Sequence, residues 1–187
     1  PPPRPTPPRL RGRIAYVTGG AGGIGRATAA RLLADGAHVV LADIDTRALQ
    51  TAQAELASRF GADRVHDVAM DVTDEASVAA SFADTVLAFG GVDIVVSNAG
   101  LASSASVTET TLATWRRTHD VLTTGYFLVS REAFRVLEAQ GLGGSIVFVA
   151  SKNALVATPG AVAYNSAKAA ELHLARCLAL EGAPHGI

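Results

Sequence analysis

The stretch that most constrains this chain is a glycine-rich turn near its start. The turn reads Thr18-Gly19-Gly20-Ala21-Gly22-Gly23-Ile24-Gly25 and follows an apolar run over residues 14–17. An amphipathic stretch begins at Ile24, so the order predicts a buried strand, a tight turn and the start of a helix. Such glycines let the backbone approach a pyrophosphate, and the helix N-terminus offers N–H donors to it. The turn therefore predicts a nucleotide site, although a glycine cluster alone also fits an ordinary flexible loop.

Apolar and amphipathic segments alternate along the rest of the chain. Several apolar runs are continuous, namely 38–42, 93–96 and 145–149, which is typical of parallel strands that are covered on both faces. We predict an α/β fold, a Rossmann-like doubly wound parallel sheet with helices on both faces. The predicted strands are 13–17, 38–42, 64–70, 92–97 and 144–150, and the predicted helices are 24–34, 46–59, 74–89 (capped by Asp74), 112–140 and 161–181.

Composition excludes several classes of function. The 187 residues carry a formal net charge of −1 without a basic block, which argues against nucleic acid as a partner. No apolar run reaches the roughly 18 residues of a membrane span, and a signal-peptide h-region is absent. The single cysteine, Cys177, excludes an internal disulfide, fits a reducing cytoplasm, and is expected to be buried in its helix. The histidines lack the spacing of metal ligands, so we predict no metal site.

The first twelve residues differ from the rest. Six of the eight prolines lie within residues 1–8, a composition that favours extended polyproline II. We interpret residues 1–12 as a proline-rich linker or tail, and residues 13–187 as one dinucleotide-binding domain. A linker would imply a preceding domain, whereas a disordered end would not.

Polar motifs follow the fourth and fifth predicted strands. Asn98-Ala99-Gly100 follows the fourth strand, and Ser151 follows the fifth, thirteen residues before Tyr164. Tyr164 and Lys168 are four residues apart on a predicted helix and therefore share one face. Together with the glycine turn, these motifs resemble the classical short-chain dehydrogenase/reductase family, from Arg13 to the end of the chain.

The resemblance implies a catalytic role for three side chains. Tyr164 would be the acid/base, Lys168 would lower its pKa and bind the nicotinamide ribose, and Ser151 would hold the substrate oxygen. Lowering a tyrosine pKa from about 10 to about 7 requires roughly 4 kcal/mol. A cation about 4 Å away, at an effective dielectric constant of about 20, supplies that amount.

The resemblance also implies a set of cofactor-binding residues. Tyr164 and Lys168 would contact the nicotinamide half, Asp71 and Val72 the adenine, and the turn the pyrophosphate. The full set is Gly19, Gly23, Ile24, Gly25, Asp43, Asp71, Val72, Asn98, Gly100, Tyr164 and Lys168.

The choice between NAD and NADP depends on Asp43. It lies 18 residues after Gly25, near the spacing at which an acidic residue binds the adenosine ribose. A carboxylate accepts hydrogen bonds from ribose hydroxyls but repels a 2′-phosphate, and Ile44 follows where NADP enzymes often have arginine. We therefore favour NAD, with Arg26 near the turn as the main argument for NADP.

The chain departs from the family pattern at Leu122, and to a minor extent at Ser97. The family normally has an asparagine at the position of Leu122, which helps to hold a water beside the active-site lysine. We hypothesise that Asn153 or Thr123 supplies the missing polar group, the alternative being that Asn153 only shapes a loop. The chain also stops before the sixth and seventh strands of the family, so we expect a domain truncated at its C-terminus with an unpaired apolar edge.

A closer resemblance is to the dehydrogenase half of bacterial aldolase/short-chain dehydrogenase fusion proteins. It depends on residues 150–153, Leu122 and residues 175–182. It implies an aldolase-like N-terminal domain and oxidation of a small hydroxyaldehyde or sugar-derived alcohol.

Two other functions remain open. The turn also fits the epimerase-like branch, although Asn98 and the Ser151–Tyr164 spacing argue against it. A non-catalytic dinucleotide-binding or assembly module is the second alternative, supported by Leu122 and the missing C-terminal part and opposed by the intact Ser151, Tyr164 and Lys168. The long helix and the last helix carry apolar residues around much of their circumference, so we expect a homodimer or homotetramer.

Overall fold

The computed structural model describes residues 9–187. Most of the predicted linker, residues 1–8, lies outside the described residues. The backbone N–H of Leu10 donates to the carbonyl of Asp35 (2.8 Å), and its side chain packs against the core. The folded body therefore includes at least part of the segment that we assigned to the linker.

Strands and helices alternate as predicted. The strands are β1 (Ile14–Thr18), β2 (His38–Asp43), β3 (Val65–Ala69), β4 (Ile94–Ser97) and β5 (Ser145–Phe148). The helices are α1 (Gly23–Ala34), α2 (Thr46–Phe60), α3 (Glu75–Phe89), α4 (Leu112–His119), α5 (Gly125–Gln140) and α6 (Val162–Gly182). The predicted helix 112–140 is real, but a π-helical turn over Asp120–Thr124 divides it into α4 and α5.

The strands form one parallel sheet in the order β3-β2-β1-β4-β5. Tyr16 of β1 stands opposite Val40 on one side and Val95 on the other. The chain first builds outward from β1 to β3 and then continues on the opposite side at β4. This reversal confirms the doubly wound fold and places a crevice at the carboxyl ends of β1 and β4.

The core has two layers, because successive residues of β1 point to opposite faces of the sheet. Val17 packs on one face with Leu33 of α1 and Leu56 of α2. Tyr16 packs on the other face and stacks on Phe82 of α3, with ring centroids 4.5 Å apart. Helices therefore cover both faces of the central strands.

Two expectations about burial are wrong. Val147 of β5 is 50% exposed, because it lies with Ser145 on the face of β5 that the described elements leave open. Cys177 is exposed rather than buried, because it lies on the outer face of α6.

Asp74 caps α3 as predicted and accepts from the backbone N–H of Ala76 (2.9 Å). Among the described residues, no helix combines the length and apolar character that crossing a membrane requires.

Candidate active site

A cleft of about 450 Å³ opens at the carboxyl ends of the strands, around the reversal point of the sheet. The sequence placed the cofactor-binding residues on separate elements, and the fold brings most of them together here. Those that line the cleft are Gly19, Gly23, Ile24, Asp43, Asp71, Val72, Asn98 and Gly100. Gly25, Tyr164 and Lys168 lie outside this lining.

The glycines of the turn have different structural roles. Gly19 has a positive φ of +62°, which favours glycine over any residue with a side chain. A Cβ at Gly25 would overlap the carbonyl oxygen of Gly19, so Gly25 brings α1 close to the turn. A Cβ at Gly23 would meet nothing within 4 Å. Gly23 therefore faces open space at the mouth of the cleft.

The start of α1 is suited to an anion. Its N-cap is Gly22, which offers no side-chain acceptor, so the first N–H groups are not capped by that residue. Ile24, in the first turn, is exposed. Uncapped N–H groups and the helix dipole together attract phosphate. Their position beside the cleft fits the pyrophosphate of a dinucleotide.

Asn98 fastens the end of β4 to the glycine turn. Its Nδ2 donates to the carbonyls of Thr18 (2.9 Å) and Gly19 (3.2 Å). The backbone N–H groups of Asn98 and Ala99 both donate to Oγ1 of Thr18, at 2.9 Å. Asn98 therefore supports the shape of the cleft wall in addition to lining it.

Asp43 ends β2 at the cleft. Its Oδ2 accepts from the N–H of Ala21 (3.0 Å) and its Oδ1 from the N–H of Asp45 (3.1 Å). Each carboxylate oxygen has a second acceptor site, so Asp43 can still accept from ribose hydroxyls. Arg26, the argument for NADP, instead pairs with Glu55 of α2 at 3.1 Å.

Asp71 forms the turn after β3. Its Oδ1 accepts from both the N–H and the hydroxyl of Thr73, each at 2.8 Å. The adjacent Val72 touches the position of a Cβ on Gly125, at 2.9 Å. The part of the cleft formed by Asp71 and Val72 therefore lies against the start of α5.

Ser151 and Tyr164 come from the neighbouring β5–α6 region. The Oγ of Ser151 accepts from the N–H of Asn153 (3.2 Å) and caps a short 3-10 turn that packs against α6. Tyr164 lies half-buried in the first turn of α6. The amide Nδ2 of Asn153 donates to Asn165 Oδ1 (2.7 Å) and to Thr158 Oγ1 (3.0 Å). Asn153 thus anchors the loop that precedes Tyr164.

Lys168 is buried, with 6% of its side chain exposed. Its Nζ donates to Oε2 of Glu171 (2.7 Å) and to the carbonyl of Val149 (3.0 Å), and lies 5.2 Å from the ring centre of Tyr126. Sequence reasoning missed Glu171. The signal was its place three residues after Lys168 and seven after Tyr164, on the same face of a helix.

Burial dominates the electrostatics around this lysine. Burial raises the pKa of Glu171 above its ordinary value, and the hydrogen bond and positive charge of Lys168 act in the opposite direction. Burial also raises the pKa of Tyr126, and the carboxylate of Glu171 adds to that increase. Glu171, Lys168 and Tyr126 therefore form one coupled group beneath the carbonyl of Val149.

Leu122 is fully buried in the π-helical turn and supplies no polar atom. Its Cδ2 lies 3.2 Å from the position of a Cβ on Gly100. The hydroxyl of Thr123 lies 3.5 Å from Nδ1 of His119, and the amide of Asn153 is hydrogen-bonded within its own loop. Neither the hydroxyl nor the amide is therefore hydrogen-bonded to Lys168. The structure favours the alternative in which Asn153 shapes the loop.

Sequence reasoning missed two residues on the helical segment that runs from α4 into the π-helical turn. Arg117 of α4 and Val121 of the π-helical turn both line the cleft. They are four residues apart and share a face, but a helical period alone does not say which face meets the cleft. Arg117 adds a positive charge to the lining of the cleft.

Comparison with known proteins agrees with this arrangement. The family model described as short chain dehydrogenase matches residues 13–187. The uncharacterized oxidoreductase YuxG of Bacillus subtilis is 50% identical over 175 residues, which are 94% of this chain and 25% of YuxG. The 2-dehydro-3-deoxy-L-rhamnonate dehydrogenase (NAD(+)) of Sphingomonas is 37% identical, over 96% of this chain and 70% of that protein.

A solved structure supports the same likeness. The crystal structure of NAD+-bound xylitol dehydrogenase is 31% identical and superposes with a TM-score of 0.92. The match covers 96% of this chain and 68% of that one. The chain therefore spans about a quarter of the length of YuxG and about two thirds of the other two proteins.

Proposed function

Since the chain belongs to the short chain dehydrogenase family of oxidoreductases, which act on alcohol and carbonyl groups, we propose that it uses NAD to interconvert a small alcohol and its carbonyl compound. The observation that carries the proposal is the cleft, which predicted cofactor residues at or just after the ends of β1, β2, β3 and β4 line. The β5–α6 region contributes Tyr164 and Lys168, one turn apart on α6, and Ser151, which caps the 3-10 turn that packs against α6.

The described residues fit a dinucleotide. The uncapped start of α1 at Gly23 and Ile24 would receive the pyrophosphate, and Asp43 would accept from the adenosine ribose. Gly25 keeps the turn compact enough for that approach. The nicotinamide, when bound, supplies the site that takes up or gives up the hydride.

Tyr164 would hold and move the proton of the reaction. In alcohol oxidation its phenolate oxygen takes the proton of the substrate hydroxyl, and in reduction the phenol returns it. Ser151 orients the substrate oxygen through its hydroxyl. Lys168 favours the phenolate by its positive charge, and its burial keeps that charge from being screened by water.

NAD is favoured over NADP by the surroundings of Asp43. A 2′-phosphate would meet this carboxylate and the exposed side chain of Ile44. Arg26 is paired with Glu55 and so does not lie ready for a phosphate. We expect kcat/KM for NAD to exceed that for NADP at least tenfold, and Asp43→Ala to narrow the ratio.

The test of the activity is NADH formation by the full-length protein with a panel of small alcohols, hydroxyaldehydes and sugar-derived alcohols. Tyr164→Phe should abolish turnover while the NAD affinity stays within about threefold. Tyr16→Phe, a change at a buried tyrosine in the core, is the matched control and should keep its activity. NAD binding without turnover on any substrate would favour the non-catalytic module, for which the apolar Leu122 is the main support.

We further propose that residues 1–12 join the domain of residues 13–187 to an aldolase-like N-terminal domain in a longer protein. The support is the 50% identity to YuxG, of which this chain matches a quarter. The substrate would then be a small hydroxyaldehyde or sugar-derived alcohol, and the protein would be cytoplasmic. Aldol cleavage by the full-length protein would support this proposal, and its absence on every ketose tested would oppose it.

Self-association through α5 and α6 is the last part of the proposal. Phe127 of α5 and Leu180 of α6 are both exposed in the described chain. Buried in a homodimer or homotetramer, they would be removed from water. Sedimentation of the wild type and of Leu180→Glu should give an oligomer and a smaller species, respectively.

A further inference from the structure

We propose that Glu171 is a positioning residue for this reaction: its buried carboxylate holds the ammonium of Lys168 and sets how much of that positive charge reaches Tyr164. The proposal rests on the proposed function, because it assigns the acid/base to Tyr164. It concerns a residue that the cleft itself does not include.

The geometry places three side chains on one stripe of α6. Tyr164, Lys168 and Glu171 follow one another at intervals of four and three residues, which is one face of a helix. The ammonium of Lys168 lies 2.7 Å from Oε2 of Glu171. Tyr126 of α5 is within the electrostatic reach of both Glu171 and Tyr164. Because Lys168 lies between Glu171 and Tyr164 on this stripe, a change of charge at Glu171 alters the net charge one helical turn from Tyr164.

Stability alone does not explain this pair. Glu171 is fully buried, and its Oε1 is a buried oxygen without a hydrogen-bond partner among residues 9–187. Burying two charges removes both from water, and a buried ion pair is often no more stable than an apolar pair of similar volume. An unsatisfied carboxylate oxygen adds a further desolvation penalty. A structure selected for stability alone would not need a charge here.

Among the described groups around Lys168, Glu171 is the one whose negative charge offsets the ammonium. The groups that face it are Lys168 on its own helix, Tyr126 from α5 and, through Lys168, the carbonyl of Val149. Leu122 of the π-helical turn, which packs against α6, is apolar and cannot offset the ammonium. The carboxylate thus holds Lys168 in place and opposes part of its field at the phenol. Burial raises the pKa of Glu171, so its charge is more easily lost on acidification than that of an exposed glutamate.

The test is the pH dependence of kcat for alcohol oxidation by the full-length protein. Glu171→Gln keeps a hydrogen-bond acceptor but removes the negative charge, so Lys168 acts unopposed. The midpoint of the acid limb should move down by about one pH unit, the size of effect that a nearby charge has on a titrating group. The NAD dissociation constant should stay within about twofold. Glu171→Asp keeps the charge, so its midpoint should stay in place while kcat falls.

Glu132→Gln is the matched control. Glu132 is also a buried glutamate in an ion pair, 2.6 Å from Arg135, but it lies on α5 away from this stripe. Its replacement should leave the midpoint unchanged. The same midpoint in Glu171→Gln and the wild type would overturn the proposal, as would an equal shift in Glu132→Gln.

A second readout separates this proposal from the proposed function. The tyrosinate absorbance that is lost in Tyr164→Phe reports the titration of that phenol without turnover. The difference between each variant and the same variant with Tyr164→Phe cancels the absorbance of every other tyrosine, and burial raises the pKa of both Tyr16 and Tyr126 in this domain. An inactive wild type would count against the proposed function, whereas an unchanged absorbance midpoint in Glu171→Gln would count against the role of Glu171.

Discussion

Replacing Gly25 with alanine is expected to destabilise the whole domain through a steric overlap in the opening turn. The added Cβ would overlap the carbonyl oxygen of Gly19 and lie 2.9 Å from Nδ2 of Asn98. Neither atom is free to move aside, because the Gly19 carbonyl accepts from Gly22 (3.1 Å) and from Asn98 (3.2 Å). Relief of the overlap must therefore weaken the bond within the turn and the bond that joins the turn to Asn98 after β4.

The size of the effect follows from three contributions. Overpacking of a buried site costs about 1–3 kcal/mol. Weakening two hydrogen bonds adds about 1 kcal/mol each. Alanine returns about 1 kcal/mol because it favours the helix more than glycine does. The net loss should be about 2–4 kcal/mol, or about 4–16 °C in Tm for a domain of this size.

Gly23→Ala provides the matched control in the same turn. A Cβ at Gly23 meets nothing within 4 Å, so this variant should stay within about 1 kcal/mol of the wild type. Urea unfolding followed by circular dichroism measures both free energies. Gly25→Ala with the same stability as Gly23→Ala would refute the steric argument. NAD affinity should fall in both variants, because each alters the approach to the pyrophosphate.

Three further predictions concern pH, charge and the turn. Because burial raises the pKa of Tyr16 and Tyr126, these tyrosines lose their protons at a lower pH in the unfolded chain than in the folded chain. The free energy of unfolding should therefore fall above about pH 10, by about 1.4 kcal/mol per pH unit for each tyrosine. In unfolding curves measured at alkaline pH, Tyr16→Phe should reduce that slope by the contribution of one proton. Arg26→Ala should change stability by less than about 1 kcal/mol and leave the preference for NAD unchanged in steady-state kinetics, because its pair with Glu55 is exposed. Asn98→Ala should lower the unfolding free energy by about 1–3 kcal/mol in urea, because two carbonyls of the turn lose their donor.

The parts of the fold that follow from local backbone physics were predictable from the sequence. The β1–turn–α1 unit is one, because Gly19 needs a positive φ and Gly25 needs the space of a missing Cβ. The alternation of strands and helices is another, because its apolar periods are local. Both were predicted with boundaries that differ from the structure by one or two residues.

The parts that depend on neighbours distant in the chain were not predictable. Val147 belongs to an apolar run, but its exposure depends on whether another element covers that face of β5. Cys177 follows a helical period, but which side of α6 faces out depends on the sheet. On α6, Ala163 and Ala167 are buried, and their small side chains let that face of the helix pack closely against the rest of the domain. A sequence pattern gives the period of a helix or strand but does not say which of its faces is buried.

The same limit applies to the candidate site. The sequence indicated its residue types but not which of its groups are hydrogen-bonded to one another. The spacing of Tyr164 and Lys168 indicated a shared face, but a lysine ammonium has three donors and the sequence does not say where they go. In the structure one donor goes to the carbonyl of Val149 and one to Glu171. With Leu122 apolar, one donor is left for the nicotinamide ribose in the proposed function. A lysine tied at two of its three donors has little freedom to swing, so it can direct the third at a fixed point with little loss of conformational entropy on binding.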